Sequence, residues 1–352
     1  MISLRNAFTV FKRTLVHSTH DPLKIAFFGS DTFSVASLGK LVQYQKTNPT
    51  KIDSIHTITR NLKPKGRGMK TVEDLPIGNL ANSLGIPVLR ADNSSEILDI
   101  LKSQHFNLVI AVSYGKLIPA QFIQECKYGG LNVHPSLLPK YSGSSPLQYA
   151  LLNDDKTTGC TVQTLHPTKF DHGEIIVQSD EIPINETDNL STLFDKFGGI
   201  GSDLLVKSID EGLFVNPVPV QNEYKYSLAP KIPKSKSQIL WDQLSARQIK
   251  RMYDALGPLF TFLNVNLRKK RKVIQEKQRV ILSEITESTG DEVELANPGD
   301  FVLNKDGLII KAKDGNVIAK LVKMQAQSEE SPESFIGSYN KKVGDTPKQF
   351  IN

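Results

Sequence analysis

Cysteine is scarce in this chain of 352 residues: Cys126 and Cys160 are the only two. They form no Cys-x-x-Cys or zinc-finger spacing, so neither a disulfide framework nor a structural metal is expected. The seven histidines build no His-Glu-x-x-His or comparable ligand pattern, and no metal is predicted. Long hydrophobic runs are missing too. No stretch approaches the roughly 18 to 20 uninterrupted apolar residues of a transmembrane helix, so no membrane partner is expected. The first apolar run ends in "GSDTFS", whose single glycine is not the Gly-x-Gly-x-x-Gly that lets a backbone approach a pyrophosphate, which argues against a dinucleotide-dependent oxidoreductase.

What is present suits two globular domains, with 39% hydrophobic and 23% charged residues, each able to bury a core. The formal net charge is +6. Residues 1–20 hold Arg5, Lys12 and Arg13, no acid, several hydroxyls and apolar residues on one helical face. That is the composition of a mitochondrial targeting segment. It places the chain in the mitochondrial matrix; a disordered basic tail is the competing reading.

From residue 21 short apolar runs alternate with helical spacing. Strands are predicted near 23–29, 52–59, 86–89, 107–112 and 130–133, and helices near 32–46, 75–84 and 95–103. Such alternation predicts an α/β fold with a doubly wound, mostly parallel sheet. "NLVIAVSYG" (107–115) is apolar almost throughout, as a central strand covered on both faces must be. "GCTVQTL" (159–165) and "EIIVQSDEIPI" (174–184) alternate instead, predicting an antiparallel pair at the edge, followed by a helix at 188–210. The catalytic domain is expected at 21–212. Residues 213–235, with repeated prolines, read as a linker. From 236 to 352 short strands are broken by "PGD" and two "KDG" turns, predicting a smaller β-barrel with a helix near 243–254.

The informative stretch is "LNVHPSLLPKYSG" (131–143). Asn132 and His134 are two apart, so on an extended strand they share one face while Leu131 and Val133 turn into the core. Pro135 and Pro139 stiffen the following loop, and Gly143 permits a close turn before the next helix. An amide and an imidazole held rigidly at the carboxyl end of a parallel strand suit stabilisation of an oxyanion together with proton movement, as in acyl transfer. Asp171, in "KFDHGEIIV" on the turn between the two edge strands, is the third candidate. There a carboxylate orients the imidazole or a proton-relaying water.

"LNVHPSLLPKYSG" followed by "FDHG" resembles the signature of the folate-dependent formyltransferases. "YSLAPKIPKSKSQILW" (226–241), the barrel after it and the insert "RNLKPKGRGMK" (60–70) are similar to the methionyl-tRNA branch of that family, mitochondrial type. The resemblance runs from residue 23 to about 325. It implies a Rossmann-like formyltransferase domain followed by an OB-like barrel that binds tRNA. It implies transfer of the formyl group of 10-formyltetrahydrofolate to the amino group of methionyl initiator tRNA, for mitochondrial translation initiation. It also implies Asn132, His134 and Asp171 as the catalytic trio. The folate co-substrate falls on Ser113, Tyr114, Gly115, Lys116, Leu117, Ile118 and Pro119, on Ser136, Leu137 and Leu138, and on the turn before Asp171. A monomer is expected.

Two basic stretches are the candidate tRNA contacts. Lys63, Lys65, Arg67 and Lys70 interleave with Gly66, Gly68 and Pro64 in a span free of acids, and in the resembled family this insert reaches the acceptor end, with Arg67 placed to read it. "RKKRKVIQEKQR" (268–279) carries Lys269, Lys270, Arg271 and Lys272 in a barrel-forming region, where such clustering faces phosphates. Three departures from the family pattern stand out: Ser142 with the pair Ser144 and Ser145, the loop with His166, Lys169 and His172, and the acidic tail "MQAQSEESPESF". The rival readings are a purine or sugar-nucleotide formyltransferase, which would share the trio, and a non-catalytic tRNA-binding protein, which has no need of it.

Overall fold

The computed structural model describes residues 20–65, 71–269, 272–288 and 294–352. The expected targeting segment, apart from His20, lies outside the described residues. Along the chain run β1 (Leu23–Gly29), α1 (Thr32–Thr47), β2 (Ile52–Thr59), β3 (Lys63–Lys65), β4 (Thr71–Glu73), α2 (Pro76–Ser83), β5 (Val88–Arg90), α3 (Ser94–Ser103), β6 (Leu108–Val112), α4 (Ala120–Glu125) and β7 (Gly130–His134). There follow α5 (Pro146–Leu152), β8 (Thr157–Thr158), β9 (Thr161–Thr164), β10 (Ile175–Gln178), β11 (Ile182–Pro183), α6 (Leu190–Asp210) and α7 (Ala246–Leu256). The last are β12 (Leu259–Lys269), β13 (Lys272–Glu287), β14 (Phe301–Asn304), β15 (Gly307–Lys311), β16 (Asn316–Met324), α8 (Pro332–Gly337) and α9 (Tyr339–Val343). These elements divide into two units. One takes the described residues up to His134 with Thr161–Gln178 and Gly198–Glu223; the other takes Pro135–Cys160, Ser179–Phe197 and Tyr224–Asn352.

The first unit is built on a seven-stranded sheet in the order β10-β9-β7-β6-β1-β2-β5. Every residue of β6, and all of β1 but Lys24, is buried, as continuous aliphatic runs demand when helices cover both faces. The neighbours β6-β1, β1-β2, β2-β5 and β6-β7 are parallel, while β9 runs antiparallel to both β7 and β10. Helices start where side chains take up their unpaired amides: Asp31 accepts from the Ser34 amide at α1, and Asn93 from the Glu96 amide at α3. The chain lays β1, moves outward to β2 and β5, then returns to the other side of β1 with β6. Strand order therefore reverses between β1 and β6, and the carboxyl ends of these strands, with β7 beside them, form the edge where an open parallel sheet takes its ligands.

The second unit holds a five-stranded antiparallel sheet, β12-β13-β16-β15-β14. The expected barrel is completed by the chain's last residues. The Ile351 amide donates to Phe262 O at 2.9 Å beside β12, and the Phe350 amide to Gly299 O at 2.8 Å before β14. Phe350 stacks on Phe301 with ring centroids 4.4 Å apart and faces Trp241 at 6.0 Å.

One expectation needs correction. "EIIVQSDEIPI" is not one strand: β10 stops at Gln178, and Ile182 and Pro183 pair with β8 in a separate two-stranded sheet. The break has a cause in the bonding, because Ser179 turns its amide to Cys160 O and its hydroxyl accepts from the Cys160 amide. The proline-rich stretch 213–235 is also bonded along its length. The Val220 amide donates to Ile175 O at 2.8 Å, Asn222 Nδ2 to Gln178 Oε1 at 3.0 Å, the Ser142 amide to Ser227 O at 2.9 Å, and the Ala229 amide to Ser142 O at 2.7 Å. Gly143 owes its identity to that last contact. Its φ is +127°, and a Cβ there would sit 2.6 Å from Ala229 O.

Candidate active site

Asn132 and His134 project from one face of β7, with Leu131 and Val133 buried on the other. Antiparallel pairing sets Asn132 opposite Gln163 and His134 opposite Thr161 on β9, so these four side chains share a face. The β9–β10 connection then brings Asp171 over them. Its Oδ1 accepts from Asn132 Nδ2 at 3.2 Å and from Gln163 Nε2 at 3.1 Å, and lies 3.3 Å from His134 Nδ1. The side chains of His134 and Asp171 are only 6% and 8% exposed, so this contact is largely sheltered from water. A carboxylate only accepts, so the contact assigns the ring proton to Nδ1 and leaves Nε2 as the other exchange position of the imidazole.

The loop is held in an uncommon conformation. Asp171 has φ +53°, the left-handed region that costs a residue with a Cβ. Two residues on, Gly173 passes so close to β9 that an added Cβ would lie 1.7 Å from Thr164 O. Gly173→Ala is expected to push the loop outward and to lower turnover by about 100-fold, the scale of a 1 Å misplacement at a reacting centre. Steady-state rates of the variant, with its circular dichroism unchanged, check this.

Ser113–Pro119 leaves the carboxyl end of β6 on the same edge. Ala111, two residues before Ser113, pairs with Asn132. Ser113 and Gly115 both take positive φ, +50° and +77°. Tyr114 is buried and donates to Ala91 O, the Lys116 ammonium donates to Asp92 O, and Leu117 stays 44% exposed on the rim. Asp31, two residues past β1, accepts from the Ser34 amide at 3.2 Å, and burial pushes its carboxyl above the ordinary range despite that bond. Ser136, Leu137 and Leu138 are buried in the second unit, where the Ser136 hydroxyl donates to Lys140 O at 2.6 Å.

Of the proposed tRNA contacts, Lys63 is 69% exposed and 3.4 Å from Asp92 Oδ2. Lys65 ends β3, and Lys269 and Lys272 are paired in the β12–β13 backbone ladder. Arg67, Lys70, Lys270 and Arg271 lie outside the described residues. The reading of the sequence missed two features. Gln163 is one; nothing in the sequence marked it, and only the structure shows it as buried as Val162 beside it. The other is an aromatic partner for the basic run: Lys277 lies over the Phe262 ring at 4.5 Å and Arg279 over Phe260 at 3.7 Å.

With the geometry established, likeness to known proteins is decisive. The formyl transferase family model matches residues 23–209, and the model of the formyl transferase C-terminal domain matches 231–340. The chain belongs to the formyltransferase family. Among this family's curated members it is 31% identical to the mitochondrial methionyl-tRNA formyltransferase of Saccharomyces cerevisiae, over 94% of this chain and 92% of that one. It is also 31% identical to the methionyl-tRNA formyltransferase of Thermodesulfovibrio yellowstonii, over 89% and 94%. Solved structures share the fold at lower identity. HypX from Aquifex aeolicus, in complex with tetrahydrofolic acid, gives a TM-score of 0.57 at 15% identity over 92% of this chain, which spans about half of HypX at 48%. The N-formyltransferase from Helicobacter canadensis, in complex with folinic acid and dTDP-3-aminofucose, gives 0.55 at 18% over 84% of this chain and 98% of that one. Among the described residues no three His, Cys, Asp or Glu side chains converge as a metal site, and no helix is long and apolar enough to cross a membrane.

Proposed function

We propose that this protein transfers the formyl group of 10-formyltetrahydrofolate to the amino group of methionyl initiator tRNA. The single observation that carries the chemistry is the convergence of Asn132, His134 and Asp171 on one carboxylate oxygen at the carboxyl edge of the sheet. The substrate assignment is supported by the likeness to methionyl-tRNA formyltransferases along nearly the whole chain. The sugar formyltransferases stay below 20% identity, a likeness of fold alone.

In this reading the neutral amine attacks the formyl carbon. Asn132 keeps its orientation by donating one amide hydrogen to Asp171 and offers the other to the formyl oxygen as negative charge grows there. One such donor is worth about 10²- to 10³-fold in rate. His134, oriented through Nδ1, meets the substrate through Nε2, and Asp171 holds the ring or a water that moves the proton from the attacking amine toward the departing folate nitrogen. Proton transfer of this kind contributes about 10²- to 10⁴-fold. The Ser113–Pro119 turn, which follows the strand paired with β7 and carries an exposed Leu117, suits the apolar faces of a pterin. Residues 21–212 form the catalytic part and 236–352 the part that grips tRNA; the chain acts as a monomer in the mitochondrial matrix.

The reading is tested by comparing formylation of initiator and elongator methionyl-tRNA with 10-formyltetrahydrofolate; the initiator form is expected to react faster, and no transfer to either would reject it. Replacing Lys269, Lys270, Arg271 and Lys272 with alanine is expected to weaken tRNA binding. It should also flatten the plot of log affinity against log salt by about 0.7 to 0.9 for each phosphate that is no longer neutralised. An unchanged slope removes this run from the interface.

A further inference from the structure

We infer that Gln163 is a positioning residue of the reaction: it acts through Asp171, holding that carboxylate against Asn132 and His134. The inference rests on the formyl-transfer reading above. Gln163 is 1% exposed on β9. Burying a primary amide is costly unless its polar atoms are bonded, and both ends of this one are bonded to the same short loop. Its Nε2 donates to Asp171 Oδ1 at 3.1 Å, and its Oε1 accepts from the Gly173 amide at 3.2 Å. The two bonds straddle Asp171, the residue in left-handed backbone, so one side chain fixes both the loop and the direction of its carboxylate. Such a conformation persists only where the surroundings impose it.

A neutral amide at this point also matters electrically. His134, on β7, is an ionisable group within reach of Asp171, while His166, Lys169, His172 and Glu174 belong to the same connection, half-buried in the case of His166 and exposed in the others. A second carboxyl in place of the Gln163 amide would keep the acceptor for Gly173 but confront Asp171 with a like charge. Two carboxyls so close retain one proton between them to higher pH.

Two variants separate this role from mere packing. Gln163→Met keeps the volume and removes both bonds; kcat is expected to fall by about 10- to 100-fold, with KM for methionyl-tRNA within about twofold and the thermal midpoint nearly unchanged. Gln163→Glu should move the acid limb of the pH profile of kcat/KM upward by about one pH unit or more, because Asp171 must lose its proton before it can act. The same displacement is readable without substrate, in the pH titration of the His134 ring resonances, which sense the adjacent carboxylate. A Gln163→Met enzyme with more than half the normal kcat overturns the inference. So does a Gln163→Glu variant whose His134 titration superimposes on that of the unmodified protein. Absence of formyl transfer by the unmodified protein would instead strike the reading it rests on, and the titration would still decide the position of Gln163 beside Asp171.

Discussion

Asp171→Asn is expected to reduce the single-turnover rate of formyl transfer by about 10²- to 10⁴-fold, the range carried by a positioned proton-transfer group. The substitution preserves size and leaves an oxygen able to accept a hydrogen bond. What it removes is the charge that receives Asn132, Gln163 and the His134 ring at 3.2, 3.1 and 3.3 Å. An amide can still turn its one oxygen to the place where the three donors meet, but a neutral oxygen is the weaker acceptor and carries no charge to favour a positive ring. The imidazole then loses the carboxylate that stabilises it as it takes up a proton, and Asn132 is held less firmly in its direction toward the reacting oxygen. His134→Ala should act on the same step with a loss of similar size. In neither variant should the dissociation constant for tRNA move more than about threefold, because neither residue is assigned to the nucleic acid. Rapid-quench formylation under enzyme excess, paired with filter binding, measures both quantities. Survival of more than a tenth of the normal rate contradicts the roles assigned to the pair.

The second large effect is on stability. Arg251→Ala is expected to cost about 3–5 kcal/mol, as when one partner of a buried ion pair is removed. The Arg251 side chain is 2% exposed on α7, with Nε donating to Asp154 Oδ1 at 2.8 Å, Nη1 to Asp254 at 3.3 Å and Nη2 to Glu186 at 3.5 Å. Asp154, in left-handed backbone at φ +53° just after α5, also receives Arg247 Nη2 at 2.8 Å. Truncating Arg251 removes one of the two cations of Asp254, already pushed upward by burial, and leaves only the Lys250 ammonium at 2.6 Å beside it. Arg251→Lys should recover less than half of the loss, since a single ammonium cannot span three carboxylates as the guanidinium fork does. Urea unfolding of the full chain reads both variants.

The same network sets a pH dependence. Burial opposes ionisation of Asp154, but hydrogen bonds and charge from Arg247 and Arg251 outweigh it and hold the carboxyl well below the ordinary carboxylate range. A depressed folded-state pKa contributes stability that is complete above the unfolded value, about 3.9, and is lost as pH falls below it. Unfolding midpoints of the Arg251→Ala protein should therefore decline less steeply between about pH 4 and pH 2 than those of the unmodified chain.

Much of this protein was legible in its residue order because the signals were local. Periodicity marked the parallel strands, since a strand covered on both faces must be apolar at nearly every position, as β6 is. The two-residue spacing of Asn132 and His134 fixed their common face, because successive side chains on a strand alternate whatever surrounds them. What stayed hidden depended on pairing between distant segments. Gln163 looks like an ordinary strand residue until β9 is laid against β7, when it falls opposite Asn132 and beneath Asp171. Phe350 and Ile351 look like a frayed end until the second sheet proves to need them between β12 and β14. "EIIVQSDEIPI" looks like one strand because alternation does not report where a neighbour's hydrogen bonds give out.

Composition and spacing by themselves determined the parallel architecture and the strand end that carries an amide and an imidazole on one face. Only the tertiary structure decided that one oxygen of Asp171 gathers Asn132, His134 and Gln163, and that a buried arginine ties α7 to the turn after α5. The physical reason is the same for both. Side-chain alternation is a property of the chain's own geometry, whereas the meeting of residues 132, 163 and 171 is set by strand register and loop path, which the packing of the whole core selects.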